Sequence, residues 1–201
     1  MAVYDIGSIL EGPVRILIGS PSNAAIPDVL PDDDVAIFGS WGGNWRELGY
    51  TTEDGITFTF EANYQDVMTA QNRGSVKRLK GTSNERVSCS LLEITLENFR
   101  DVCGYGQIAT VPAGVSTYGH RDLVFDPSLP PVYKAVAIEG IAPPDEDNVP
   151  RRIFLPFAAT TATGDMVQRI GQPSTLPCSF ARQGNGADTL VVIRDVLAPT
   201  G

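Results

Sequence analysis

Apolar and polar residues alternate with a period of two in several separate runs, the pattern of strands that bury one face. Val14, Ile16 and Ile18 alternate with Arg15, and Ile56, Phe58 and Phe60 alternate with Thr57, Thr59 and Glu61. Val87, Cys89 and Leu91 alternate with Arg86, Ser88 and Ser90. Further strands are predicted over 132–141, 151–157, 176–180 and 190–194, where β-branched and aromatic residues suit a pleated surface. Asp54-Gly55 is the strongest hairpin signal and predicts a turn joining strands over 46–52 and 56–61.

The period changes once. Leu96, Phe99 and Val102 recur at a helical spacing, so the sequence predicts one short helix of about two turns. Thr95 supplies its N-cap oxygen, Glu97 complements the positive end of the helix dipole, and Gly104 suits the left-handed residue that stops it. Between the periodic runs, long loops are expected at about 21–45, 69–84 and 143–150. The expected class is mainly β with one short helix, in a single domain spanning 1–201.

Composition narrows the class of partner. The 201 residues carry 24 acids and 15 bases, a net charge of −9, and the pI is near 4.5. A broad basic face for gripping nucleic acid is therefore excluded, since such domains run to a pI above about 9. The charge is also uneven. Residues 1–70 hold eleven acids against Arg15 and Arg46, whereas 71–100 hold six bases against three acids. The 20 glycines and 15 prolines are spread along the chain, as in a fold of many strands and turns. Three widely spaced cysteines (Cys89, Cys103 and Cys178) form no Cys-x-x-Cys pair, and their odd number favours a reducing compartment over a disulfide framework. The first ten residues show no basic start followed by an apolar run, and no apolar stretch has the length of a membrane span. These features predict a soluble intracellular product.

The chemical motifs assign no catalytic residue, no cofactor and no metal. His120-Arg121-Asp122-Leu123 matches the start of a kinase catalytic loop, but Pro127 stands where that loop needs Asn, and no glycine-rich loop or strand Lys precedes it. His120 is the only histidine, so paired-His zinc sites are excluded. Ser116 or Ser179 with His120 and Asp122 could compose a hydrolytic set, yet no Gly-x-Ser-x-Gly elbow occurs. Asp32-Asp33-Asp34 and Asp145-Glu146-Asp147 lack the alternating spacing and Gly of a calcium loop and read as solvated acidic loops. Gly39 to Gly43 lacks the Lys-Ser/Thr ending of a phosphate loop.

Residues 45–99 carry an ordered series: Trp45, Leu48-Gly49-Tyr50, the turn residues Asp54-Gly55, an alternating strand, then Tyr64-Gln65-Asp66-Val67. A basic segment with Gln71 follows, and last a strand running into Leu92-Glu93-Ile94-Thr95-Leu96-Glu97-Asn98-Phe99. This series resembles the major tail (tail tube) proteins of long-tailed bacteriophages with flexible, non-contractile tails. The resemblance implies a β-sandwich or barrel core with one short flanking helix, in subunits that close into hexameric rings and stack into a tube, with long hairpins and loops used in assembly and hairpin strands lining the lumen. It implies a virion protein made in the bacterial host cytoplasm, with no enzymatic activity and no membrane partner. The implied partners are further copies of the chain and the tape measure, tail terminator and baseplate or tip proteins. DNA passes through the lumen during ejection without specific binding.

Charge then suggests roles for particular residues. Arg73, Lys77, Arg78 and Lys80 are candidates for contact with the acidic surface of the next ring, on a polar loop that orders when it docks. Thr57, Thr59 and Glu61 are the candidate lumen lining, with Ile56, Phe58 and Phe60 packed on the core. Alternative readings are another virion component (tail terminator, neck or capsid-decoration protein), a carbohydrate-binding β-sandwich, or a hydrolase using Ser and His120.

Overall fold

Ten strands and one helix occur among the described residues. In chain order they are β1 (Arg15–Gly19), β2 (Trp45–Glu47), β3 (Thr51–Thr69), β4 (Asn72–Leu91), α1 (Leu96–Cys103), β5 (Gln107–Val111) and β6 (His120–Val124). Then come β7 (Lys134–Ile141), β8 (Pro150–Thr160), β9 (Leu176–Arg182) and β10 (Val192–Asp195). The computed structural model describes residues 14–21, 38–41, 45–69, 72–126, 128–141, 150–161, 165–166, 171–184 and 191–195. The acidic runs at 32–34 and 145–147, and most of the loops expected over 21–45 and 143–150, lie outside these residues.

Every strand pairing is antiparallel. The main sheet runs β2-β1-β7-β8-β9-β4-β3, with β10 also on β8, while β5 and β6 form a separate hairpin. One edge of β8 pairs with β7 between Pro150 and Ala158. Its other edge is divided: Arg151 to Phe154 pair with β10, and Ala158 to Thr160 pair with β9. In a flat sheet β1 and β4 would lie four strand spacings apart, about 19 Å. Instead Ile16 and Ile18 of β1 share one buried cluster with Val87, Cys89 and Leu91 of β4. The same cluster takes in Val136, Ile138 and Leu155 from β7 and β8, and Leu176, Cys178 and Phe180 from β9. The sheet therefore folds over on itself into antiparallel layers around a common core. Each large side chain fully buried there contributes about 1.5–3 kcal/mol.

The mainly-β class with one short helix is thus as the sequence predicts. The helix follows its signals closely. Thr95 Oγ1 accepts the Asn98 N–H at 3.1 Å, and Gly104 closes the helix at φ 74° while donating to the Arg100 carbonyl at 3.0 Å. An added Cβ at Gly104 would lie 3.1 Å from Thr160, so both conformation and space call for glycine. The buried face is not the apolar stripe alone: Asn98, Asp101 and Val102 are buried, with Phe99 partly so.

β1, β7 and β8 are buried on both faces. On the face away from the main core, Leu17, Ala137 and Phe154 are covered by Trp41, which packs edge-on against Trp45 at 5.3 Å. Beside this aromatic cap lies a fully buried carboxylate. Glu139 accepts from Arg15 Nε at 2.8 Å, Arg152 Nε at 2.9 Å and the Phe38 amide at 3.0 Å. Arg15 also donates to the Gly39 carbonyl at 2.7 Å, and both guanidinium groups lie within 6 Å of the Trp41 ring. One carboxylate thereby ties β1, β7 and β8 to one another and to the 38–41 segment that covers them.

Three expectations are corrected. Asp54-Gly55 does not reverse the chain. Thr51 faces Leu91 and Ile56 faces Cys89, so residues 52–55 bulge opposite Ser90 within β3, with Gly55 at φ 70°. The strand before it, β2, pairs with β1 rather than β3. The described part of the loop expected over 69–84 is strand: Thr69 ends β3, residues from Asn72 onward are β4, and Thr69 pairs with Asn72. The hairpin of β5 and β6 was not foreseen. Replacing Glu139 with Gln removes the carboxylate that the buried Arg15 and Arg152 guanidinium groups share, leaving Arg15 with Glu47 at 3.5 Å, and is expected to cost about 3 kcal/mol, read as a lower urea midpoint at unchanged m.

Candidate functional site

β3 and β4 are 19 and 20 residues long, far beyond the usual five or six, and they pair with each other almost throughout. β9 covers β4 only from Arg86 to Leu91. The last ties to the body are Arg182 Nε to Glu85 at 2.5 Å and Arg182 to Ser83 Oγ at 3.3 Å. Beyond that root the two strands continue as an arm. From Phe60 to Thr69 it extends roughly 30 Å at the usual strand rise.

The register decides which side chains share a face, because directly opposed residues project to the same side. Ile56 with Cys89 and Phe58 with Val87 face the core, and both Ile56 and Phe58 pack against it. Phe60 continues that face opposite Glu85, but it lies past the body and is 62% exposed. The expected packing of Phe60 on the core is therefore corrected: the core ends one pair earlier. Tyr64 and Met68 carry the same face outward and are also exposed, as are Val67, Val76 and Leu79 elsewhere on the arm. The opposite face bears Thr57, Thr59 and Glu61, with Ser88, Arg86 and Asn84 as their partners. The candidate lining is thus rich in hydroxyls and carries one acid and one base, rather than being uniformly acidic.

The predicted contact cations are separated by the same register. Arg78 stands opposite Asp66 and donates to both of its oxygens, at 2.8 and 3.2 Å. That hydrogen bond holds the Asp66 carboxyl below its ordinary value and raises the Arg78 guanidinium. Lys80 lies opposite Tyr64 on the Arg78 face, whereas Lys77 lies opposite Val67 on the other. The side chain of Arg73 lies outside the described residues. Lys77 and Lys80 have no carboxylate in ion-pair contact among the described residues, so they are the cations free for a partner.

A second polar centre fixes the helix. Asn98 donates to the carbonyls of Leu48 and Glu93, at 2.9 and 2.8 Å, and accepts from Arg46 at 2.7 Å. Asp101, almost fully buried, pairs with Arg46 at 2.5 Å and with Arg100 and Lys134 at 3.2 Å. Burial pushes the Asp101 carboxyl up, but the Arg46 hydrogen bond and the charges of Lys134 and Arg100 outweigh it and hold the group below its usual value. Arg46, Arg100, Asp101 and Lys134 border an open groove of about 490 Å³ with Tyr133 and Phe157, whose rings stack at 4.5 Å. Sequence reasoning missed this centre, since single polar residues on a short helix carry no periodic signal.

The other singled-out residues are dispersed. The kinase-like tetrapeptide forms β6, with exposed His120 3.5 Å from Asp122. Ser179 sits on β9 and bonds to Thr161 Oγ1 at 2.9 Å. Among the described residues no three His, Cys, Asp or Glu side chains cluster as metal ligands, and no described helix is long and apolar enough to cross a membrane. The chain matches no model of a known protein family, and no curated protein matches it.

Two predictions separate the two charge centres. The Asp101 contribution is present above the unfolded carboxylate pKa of about 3.9 and is lost as pH falls through its lower native value; in Asp101→Asn that part of the acid-side loss in stability should vanish. By contrast Asp66→Asn, on the exposed arm, should leave the chemical denaturation midpoint at pH 7 unchanged.

Proposed function

We propose that the chain is the structural subunit of a phage tail tube, closing into hexameric rings that stack into a conduit for DNA. The observation that carries this reading is the arm. An isolated two-stranded ribbon is marginal in water, and this one exposes Phe60, Tyr64, Met68, Val76 and Leu79. It is also open on both edges. β3 ends the main sheet, and past Glu85 the outer edge of β4 has no strand beside it among the described residues. A ribbon free on one edge makes a dimer; a ribbon free on both can take a neighbour on each side, which is what a closed ring of ribbons needs.

Charge supports the same arrangement. With Thr57, Thr59, Ser88 and Asn84 facing the lumen, and Arg86 and Glu61 on successive pairs of that face, phosphate meets few fixed cations and passes without being gripped. Lys77 and Lys80 suit the acidic surface of the adjoining ring, and residues 1–70 hold eleven acids against two bases. Tape measure, terminator and baseplate or tip proteins are the partners that this role calls for. Residence in the virion follows from it.

Electron microscopy of the concentrated protein is expected to show long hollow tubes; single rings would favour a tail terminator, and monomers would sink both readings. Replacing 63–82 with Asn-Gly joins Ala62 to Ser83 through a two-residue hairpin and is expected to give a folded monomer that forms no tubes. Changing Lys77, Arg78 and Lys80 together to Glu should likewise abolish tubes while the circular dichroism stays native, and normal tubes from that variant would remove the charge argument.

A further inference from the structure

Cys89 and Cys178 are 89 positions apart in sequence yet directly opposed in register on β4 and β9, with Sγ atoms 3.0 Å apart. Directly opposed residues of an antiparallel pair have Cα atoms about 4.5 or 5.5 Å apart, and both values lie within the range of about 4.4–6.8 Å that a disulfide spans. A disulfide is about 2.05 Å long, so closure needs each sulfur to move by about half an ångström. The geometry points to a redox site that the odd cysteine count conceals: we propose that Cys89 and Cys178 are a dithiol that closes into a cross-strand disulfide, a covalent clasp at the root of the arm. Cys103, on α1, is not part of it.

The position gives the clasp its consequence. β4 is one continuous strand from Asn72 to Leu91, so the segment that pairs with β9 is also the base of the arm. Any pull on the arm acts on the seam between Arg86–Leu91 and Leu176–Ala181, and Cys89–Cys178 lies near the middle of that seam. Both thiols are free and buried in the core, with Val87, Leu91 and Phe180 around them. A surface groove of about 440 Å³ borders the same two residues on the opposite face of the sheet, where Thr57, Ser88, Pro177 and Ser179 line it. The Cys178 thiol is lowered by its hydrogen bond with Cys89, while that same bond and burial raise Cys89.

The reaction balances with a low-molecular-weight disulfide such as oxidised glutathione as oxidant. The Cys178 thiolate attacks one sulfur of the reagent, expelling the first glutathione thiol and leaving a mixed disulfide. Cys89, once deprotonated, attacks the Cys178 sulfur and expels the second. Two electrons pass to the reagent, and the two protons lost by the cysteines end on the two released thiols. In a reducing compartment the pair stays open; in an oxidising medium it closes. This holds whatever the arm binds.

The test uses the full chain with oxidised glutathione, against the same protein in reductant. The expected result is a loss of about 2 Da, one remaining alkylatable thiol at Cys103, a peptide linking Cys89 to Cys178, and a melting temperature raised by about 10 °C. Cys89→Ser and Cys178→Ser should each lose that gain, whereas Cys103→Ser should keep it. Three alkylatable thiols after oxidation, linkage only through Cys103, or a linked pair with an unchanged or lower melting temperature would overturn the proposal. Should the serine variants fail to fold, the comparison of the oxidised and reduced wild type decides alone.

Discussion

A strand has two hydrogen-bonding edges, and the architecture turns on how β8 uses its own. One edge is given to β7, and the other is divided between β10 and β9. That division links the β2-β1-β7 side of the sheet to the β9-β4-β3 side that carries the arm. The link is short, with Ala158, Ala159 and Thr160 meeting Arg182, Ala181 and Phe180. Because both sides hang on one bent strand, the sheet can close over Ile16, Val136, Leu155, Val87 and Phe180 as a single core. Unpaired backbone at that bend would leave buried donors and acceptors without partners, so β10 completes the β8 edge that β9 leaves free.

Two buried carboxylates specify this arrangement. Glu139 and Asp101 would each be costly in the interior alone, and each is surrounded by donors from several elements. Glu139 sets the alignment of β1, β7 and β8 and holds the 38–41 segment over Phe154. Asp101 and Asn98 set α1 against β2 and the start of β7. Apolar packing tolerates small slips, but a buried charge with directed donors does not. The Asp66–Arg78 pair obeys the same geometry in water and carries little stability.

The arm shows the opposite economy. Its backbone pairs internally, but its side chains find no body to pack on, and its apolar residues remain on the surface. Assembly is the physical completion of such an element, since it covers apolar surface and saturates free edges together. The cysteine pair sits where force on the arm reaches the body. The net charge of −9, first an argument against DNA affinity, is compatible with a protein that encloses DNA without holding it.

The elements with one buried face were legible in the sequence. Val87, Cys89 and Leu91, the run at 176–180, and the helix from Thr95 to Gly104 follow local signals that burial and capping impose on neighbouring residues. The distal arm was not legible, because strands wet on both faces need no alternation; nor was Asp54-Gly55, whose turn chemistry serves a bulge equally well. The sequence by itself determined the β class, the single helix and its caps, and the acidic chain with its basic insert. Only the tertiary structure decided that Glu139 meets Arg15 and Arg152, that Cys89 meets Cys178, and that Arg78 is held by Asp66 while no described carboxylate pairs with Lys77 or Lys80. Those pairings depend on register between strands distant in the chain. Register is set by the whole core closing at once, not by the residues on either side.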